Sequence, residues 1–314
     1  MLGPVIFLMG PTASGKTDLA VELVERLPLE IISVDSAMVY RGMDIGTAKP
    51  SPVVRARAPH RLIDICDPAE SYSAGRFRID ARREIEDVLG RGRVPLLVGG
   101  TGLYFQALQR GLSSLPSADS AVRERLSAEA ERIGWPALHL RLAALDPASA
   151  ARIHVNDPQR IQRALEVFEL TRRPLSEFFV NGARESLPHP LVKMALAPAE
   201  RTLLRERARQ RYLRMLEGGL LDEIHGLYQR GDLHATLPAM RLVGYRQGWR
   251  HLAGEINHRE MVRQAIIATQ QLAKRQLTWL RGEEDAVWFD ASSVNLLDNV
   301  SKFLERNAKL IVRV

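Results

Sequence analysis

The stretch GPTASGKT, Gly10 to Thr17, has the residue types and the spacing to hold a phosphate anion. Gly10, Gly15, Lys16 and Thr17 occupy the fixed places of the pattern G-x-x-x-x-G-K-[ST], with Pro11, Thr12, Ala13 and Ser14 between them. Glycines let backbone N–H groups turn inward around an anion, and a following helix adds the positive end of its dipole. Lys16 would reach the phosphates, and the Thr17 hydroxyl would ligate Mg²⁺, the one cofactor expected. Two further polar residues end apolar runs. Asp35 follows IISV, and Thr101 lies within GGTG after VPLLV. A carboxylate in the place of Asp35 could be a metal ligand, a general base or the cap of the next turn.

These residues need a frame to bring them together. VIFLM (5–9) reads as a buried strand, and DLAVELVERL (18–27) repeats apolar residues with helical spacing. LEIISVDS (29–36) is a second strand, and RGMDIGTAKPSP (41–52) is a loop rich in glycine and proline. HRLIDICDP (60–68) contains a short third strand, 73–92 is a helix capped by serine and ended by glycine, and VPLLVGGTG (94–102) is a fourth strand. Alternation of this kind predicts an α/β fold, a P-loop parallel sheet core with helices on both faces. In such sheets the ligand lies beyond the carboxyl ends of the strands, where the loop, Asp35 and Thr101 all fall.

The alternation stops at about Pro116. From there to Leu187 the pattern is helical and charged, without a clear strand, and HPLVKMALAP (189–198) then resumes the sheet. The expected organisation is therefore a core made of 1–115 and 188–314, interrupted by an all-helical insertion domain at 116–187. The remainder is mostly helix, with AVWFD (286–290) as a late edge strand and a last helix to about Arg306; the tail 307–314 is not assigned to an element.

Composition narrows the class. The 314 residues are 46% hydrophobic, enough for a large core, and no apolar run approaches the ~20 residues of a membrane span. The N-terminus has neither a basic region nor a cleavage site, so a cytoplasmic enzyme is expected. Cys66 is the single cysteine, which excludes an internal disulfide and a multi-cysteine zinc site. The net charge is +7, and six of the 44 basic residues are lysines. Genomic base composition explains the arginine preference better than it explains the excess of cations, which suits a polyphosphate partner such as a nucleic acid.

An ordinary P-loop hydrolase also needs a carboxylate for Mg²⁺ and a polar residue to position water. IISVD could supply the first; the fourth strand ends in GGTG, and nothing marks the second. This weakens a switch GTPase and leaves a small-molecule kinase open. In the insertion, Arg160 and Arg163 of QRIQR (159–163) share a helix face, with Asn156 or Asp157 as cap and Pro158 first in the helix. Such a face can meet phosphates and base edges or simply be solvated. Arg207, Arg211 and Arg214 form a second stripe, without an acid to offset it unless an anion binds there.

Taken together, GPTASGKT, DSAMVYRGMDIGTAKP, LLVGGTGLYFQAL, NDPQRIQRALEV, RLVGYRQ and QLAKRQLTWLR resemble the bacterial tRNA dimethylallyltransferases, also called tRNA isopentenyltransferases, from the first strand to about residue 282. The resemblance implies that the loop holds the diphosphate of dimethylallyl diphosphate rather than ATP. The five-carbon group then moves to N6 of the adenosine 3′ to the anticodon, in tRNAs that read codons beginning with U. Carried onto matching positions, it implies Asp35 as general base with Thr101 as partner, and Lys16 and Arg211 beside the diphosphate. Ser36, Ala37 and Met38 would line the path of the target base. Arg123 and the run Gln159, Arg160, Ile161, Gln162 and Arg163 would contact the anticodon stem-loop. The segment Met240, Arg241, Leu242, Val243, Gly244 and Tyr245 would face tRNA. Many relatives carry Gln at the place of Met38. Eukaryotic relatives add a C-terminal zinc finger that this chain does not show, so no zinc is expected, and a monomer is. A prenyltransferase of free adenine nucleotides would need no basic helical insertion, and a non-catalytic RNA-binding protein would not need Lys16, Thr17 and Asp35 intact.

Overall fold

The computed structural model describes residues 2–113, 115–181 and 185–308. The chain forms two compact units: residues 1–109 with 187–314, and Arg110–Ser186. The first holds a six-stranded sheet and runs β1 (Val5–Met9), α1 (Lys16–Arg26), β2 (Leu29–Val34), α2 (Pro52–Arg57), β3 (His60–Arg61), α3 (Ala74–Gly90), β4 (Val94–Gly99) and α4 (Gly102–Arg110). The second holds α5 (Ser120–Ile133), α6 (Trp135–Leu145), α7 (Pro147–Ala150), α8 (Pro158–Thr171) and α9 (Leu175–Asn181). The chain returns to the sheet with β5 (Leu191–Ala197), α10 (Arg201–Glu217), α11 (Leu220–Gln229), α12 (Tyr245–Leu252), α13 (His258–Leu280), β6 (Val287–Asp290) and α14 (Leu296–Ala308).

The strand order is β3-β2-β4-β1-β5-β6, and every pairing is parallel. Parallel strands need crossovers, and these put helices on both faces. That is why β1 is apolar throughout rather than alternating: Val5, Phe7 and Met9 enter one core, Ile6 and Leu8 the other. The first core packs Phe77 and Ile85 of α3, Phe105 of α4, Tyr212 of α10 and Ala265 of α13 over the sheet, with the rings of Phe7 and Phe105 4.9 Å apart. The second packs Leu19 and Leu23 of α1 and Val300 and Leu304 of α14. Each buried Leu, Ile, Val or Phe among these contributes on the order of 1.5–3 kcal/mol.

Two expected elements are present, with bounds that packing sets. The third strand is only two residues long, because Leu62 and Asp64 take positive φ (62° and 57°) and turn the chain out of the sheet. Asp64 is held there by Lys49 and Arg55 at 2.6 Å each. The last helix runs to Ala308 rather than about Arg306, and the unassigned tail lies, from 309 on, outside the described residues.

The helical unit has its own core, including Leu126, Leu138, Leu142, Ile161 and Leu165. Asp157 caps α8, accepting from the Arg160 N–H at 3.1 Å, with Pro158 in the first turn. Below this core lies Glu166, fully buried, which accepts from the Asp119 N–H, from Arg123 and from Arg163. Burial pushes the Glu166 carboxyl up, but the hydrogen bonds from Arg123 and Arg163 together outweigh it and hold the group below the ordinary carboxylate range.

Candidate active site at the carboxyl edge of the sheet

Strand register decides which loops meet. Gly99 at the end of β4 pairs with Val34 of β2 on one side and Met9 of β1 on the other. Residues 35, 100 and 10 therefore leave the sheet side by side. With strands ~4.8 Å apart, the phosphate loop and Asp35 start roughly 10 Å from one another. Gly99 is required for this closeness: a Cβ there would lie 2.0 Å from the Val34 carbonyl oxygen.

The phosphate loop spans the end of β1 and the start of α1. Gly15 takes the left-handed conformation (φ 86°) at the N-cap, and no side chain caps the helix. The N–H groups of the first turn therefore stay available to an anion, and they carry the positive end of the dipole. Lys16 donates to the Pro11 carbonyl at 3.1 Å. The pKa of Lys16 falls to about 8, chiefly because burial strips water from the ammonium, then because Arg211 repels it; Asp35 works in the opposite direction. Burial likewise pulls Arg211 down while Asp35 and Asp18 push it back. Two cations that repel one another, both within electrostatic reach of one carboxylate, suit a socket for a strong anion.

The reacting end lies across β4. Asp35 uses Oδ1 to accept from the Ala37 N–H at 2.8 Å and the Met38 N–H at 3.4 Å. It therefore caps the following turn, and among the described residues Oδ2 receives no hydrogen bond. Thr101 Oγ1 accepts from the Ser36 N–H at 3.1 Å, which ties the β4 turn to the Asp35 turn. Ser36 and Ala37 are partly exposed, whereas Met38 is buried.

Thr17 begins α1 beside Lys16, and no cluster of three or more His, Cys, Asp or Glu suited to a metal occurs among the described residues. A hydroxyl is a hard oxygen donor of the kind Mg²⁺ accepts, so Thr17 is the residue present that could hold that ion.

Two residues to which the sequence assigned no role, one of them within QLAKRQLTWLR, hold the site together. Gln276 of α13 accepts from the Thr12 N–H at 2.8 Å and donates to the Gly100 carbonyl at 3.0 Å. Glu223 of α11 accepts from the N–H groups of Asp44, Ile45 and Gly46 at 2.7, 2.7 and 3.1 Å, and from the Tyr245 hydroxyl at 2.6 Å. That staple fixes the 41–50 loop, where the buried Lys49 also binds the Tyr40 carbonyl at 2.8 Å. The Thr47 carbonyl of this loop accepts from Arg211 at 3.4 Å.

Other expected contact residues are placed less simply. Met240 and Tyr245 are fully buried, so of the segment 240–245 their side chains serve the core, while Arg241 is exposed. The reason is the Glu223 staple, which draws Tyr245 inward; Leu242 and Val243 are half-buried, and Gly244 (φ 92°) makes the turn into α12. In the helical unit Ile161 is fully buried, and Gln162 donates to the Arg123 carbonyl and the Ser127 hydroxyl, both at 2.9 Å. Arg123 and Arg163 hold Glu166. Gln159 and Arg160 are exposed.

Comparison with known proteins bears on this arrangement. Residues 38–283 match the family model described as IPP transferase. The chain is 64% identical over 281 residues to the tRNA dimethylallyltransferase of Thioalkalivibrio sulfidiphilus, covering 90% of this chain and 88% of that one. It is 55% identical over 301 residues to the tRNA dimethylallyltransferase of Methylococcus capsulatus, covering 96% of each. Among solved structures, the tRNA isopentenylpyrophosphate transferase of Bacillus halodurans superimposes with a TM-score of 0.72 at 36% identity, over 98% of this chain and 97% of that one. A eukaryotic dimethylallyltransferase acting on tRNA superimposes with a TM-score of 0.78 at 27% identity, over 96% of this chain and 78% of that one.

Proposed function

Because this chain belongs to the IPP transferase family, we propose that its site moves the dimethylallyl group from dimethylallyl diphosphate to N6 of the adenosine 3′ to a tRNA anticodon. It is a transferase acting on tRNA. The observation that carries the reading is the strand register that sets the uncapped phosphate loop and Asp35 on either side of the β4 turn, with Lys16 and Arg211 in electrostatic reach of Asp35.

The exocyclic amine of adenine is a poor nucleophile, since its lone pair is delocalised into the ring. It needs an electrophilic carbon whose leaving group departs readily. As the allylic C–O bond breaks, its electron pair goes to the bridging oxygen of diphosphate. Lys16, Arg211 and the N–H groups at the start of α1 are placed to stabilise that developing charge. Bound Mg²⁺, held by Thr17 and the diphosphate, would neutralise further negative charge there. The N6–C bond forms and acidifies the two N–H groups of the now cationic nitrogen; one proton passes to Asp35 and the other stays on N6. Thr101 keeps the Asp35 turn in register with the β4 edge. A kinase uses such a loop beside the group it transfers, whereas here the loop grips what leaves.

The target adenosine must unstack to reach this edge, at a cost of a few kcal/mol that phosphate contacts offset. We place those contacts on the exposed Gln159, Arg160 and Arg241, and on the Ser36–Ala37 turn. We propose further that the enzyme works as a monomer in the cytoplasm without zinc.

Labelled dimethylallyl diphosphate is to be incubated with an anticodon stem-loop carrying the target adenosine, with labelled ATP in a parallel arm. Label in the RNA and release of diphosphate are expected, with no transfer from ATP. Consumption of ATP without prenylated RNA would overturn the reading.

A further inference from the structure

Thr12 and Gly100 lie in the two loops that must act together, one gripping the leaving group and the other next to Thr101. One side chain joins them: the carboxamide of Gln276 takes the Thr12 N–H on its oxygen (2.8 Å) and gives its own N–H to the Gly100 carbonyl (3.0 Å). A flipped amide would set donor against donor and acceptor against acceptor, so the two partners fix its orientation. The fit is close. A Cβ on Gly100 would lie 2.4 Å from Gln276 Nε2, and one on Gly102 would lie 2.4 Å from the Trp279 ring, one turn further along α13. Residues 276 and 279 share a face of that helix, so α13 braces the β4 turn at two points.

We infer that Gln276 is a positioning residue for the transfer reaction, setting the distance between the diphosphate cradle and the Asp35–Thr101 turn. The inference rests on the reading of function given above. The linkage runs from Thr12 through Gln276 to Gly100, then through Thr101 to the Ser36 N–H beside Asp35. A transfer that breaks one bond while another forms depends steeply on such a distance. A misplacement of about 1 Å costs on the order of 10²-fold in rate.

Two variants test it. Gln276→Leu keeps the volume and loses both hydrogen bonds. Gln276→Glu keeps the acceptor for Thr12 but sets a second acceptor against the Gly100 carbonyl until its carboxyl is protonated. With dimethylallyl diphosphate and a stem-loop at saturation, both are expected to lower kcat by roughly 10- to 100-fold. Stem-loop affinity and melting temperature stay near those of the unaltered protein. As pH falls toward ~5, the protonated Gln276→Glu side chain regains a donor, so its kcat relative to wild type rises, whereas the Gln276→Leu ratio stays flat. Values within twofold of wild type, a flat ratio for both variants, or activity lost only in step with melting temperature would each overturn the inference. Backbone amide exchange at 12–13 and 99–101 provides a readout independent of turnover. Gln276→Leu should speed it, and unchanged exchange would also overturn the inference. Failure of the unaltered enzyme to label RNA would instead sink the functional reading, with the exchange result still deciding the role of Gln276.

Discussion

At the scale of single residues, Asp35 and Lys16 make opposite demands on the same small space. Asp35 spends one oxygen on the turn that follows it, and its charge acts on both cations. Asp35→Ala is therefore expected to lower kcat by roughly 10²- to 10⁴-fold with stem-loop affinity largely kept, as a lost proton acceptor would. Near-normal turnover would remove Asp35 as the base. Lys16, with its pKa brought down to about 8, is an ammonium below that pH and increasingly neutral above it. The kcat/KM for dimethylallyl diphosphate should accordingly fall as pH rises past about 8, and the inflection should shift or vanish in Lys16→Arg. Stability moves the other way. Between about 8 and the ordinary 10.5 the unfolded chain holds the extra proton, so folding gains as pH rises through that window. The glycines, Lys16, Thr17 and Asp35 could be read from sequence because their job is local: a turn, a helix start, a strand end. Gln276 and Glu223 could not. Their partners lie 264 and 177–179 residues away, and a lone amide or carboxylate on a helix shows nothing until packing chooses what it meets.

At the scale of elements, α8 shows how far periodicity carries. The spacing of Arg160 and Arg163 places them on one face, and Asp157 and Pro158 start the helix. What spacing leaves undecided is which arginine the fold itself uses. Arg163 lies one turn before the buried Glu166 and binds it at 2.7 Å, whereas Arg160 is 72% exposed with only a 3.4 Å contact to Asp157. The two substitutions should therefore separate. Arg160→Ala is expected to raise the KM for tRNA several-fold, leaving the KM for dimethylallyl diphosphate and the melting temperature unchanged. Arg163→Ala is expected to destabilise the helical unit by roughly 1–3 kcal/mol, because Glu166 then keeps a single arginine. Identical stability in the two variants would contradict that division. The strands were legible for a similar reason, since five-residue apolar runs between turn signals have few other uses. Where within 60–68 the short third strand ends was not, because that turns on the positive φ of Leu62 and of Asp64, the latter held by Lys49 and Arg55.

At the scale of the whole molecule, the excess of seven positive charges is a property no single site explains. Many of the arginines are engaged in ion pairs, such as Arg61 with Glu30 and Asp87, and Arg230 with Asp67 and Asp232. The surplus acts at longer range on a polyanion. Stem-loop binding should weaken by roughly 10- to 100-fold between 50 and 200 mM salt, linearly on logarithmic axes. Dimethylallyl diphosphate, held in the half-buried socket, should show a shallower slope. Equal slopes for both ligands would mean that the RNA makes few phosphate contacts.

The clip between Thr12 and Gln276 joins positions 264 apart in the chain. During synthesis the glycine loop emerges from the ribosome long before the amide that braces it. A truncated translation product therefore carries the entire phosphate-loop motif and still lacks its brace, so the completed brace reports that synthesis has passed residue 276.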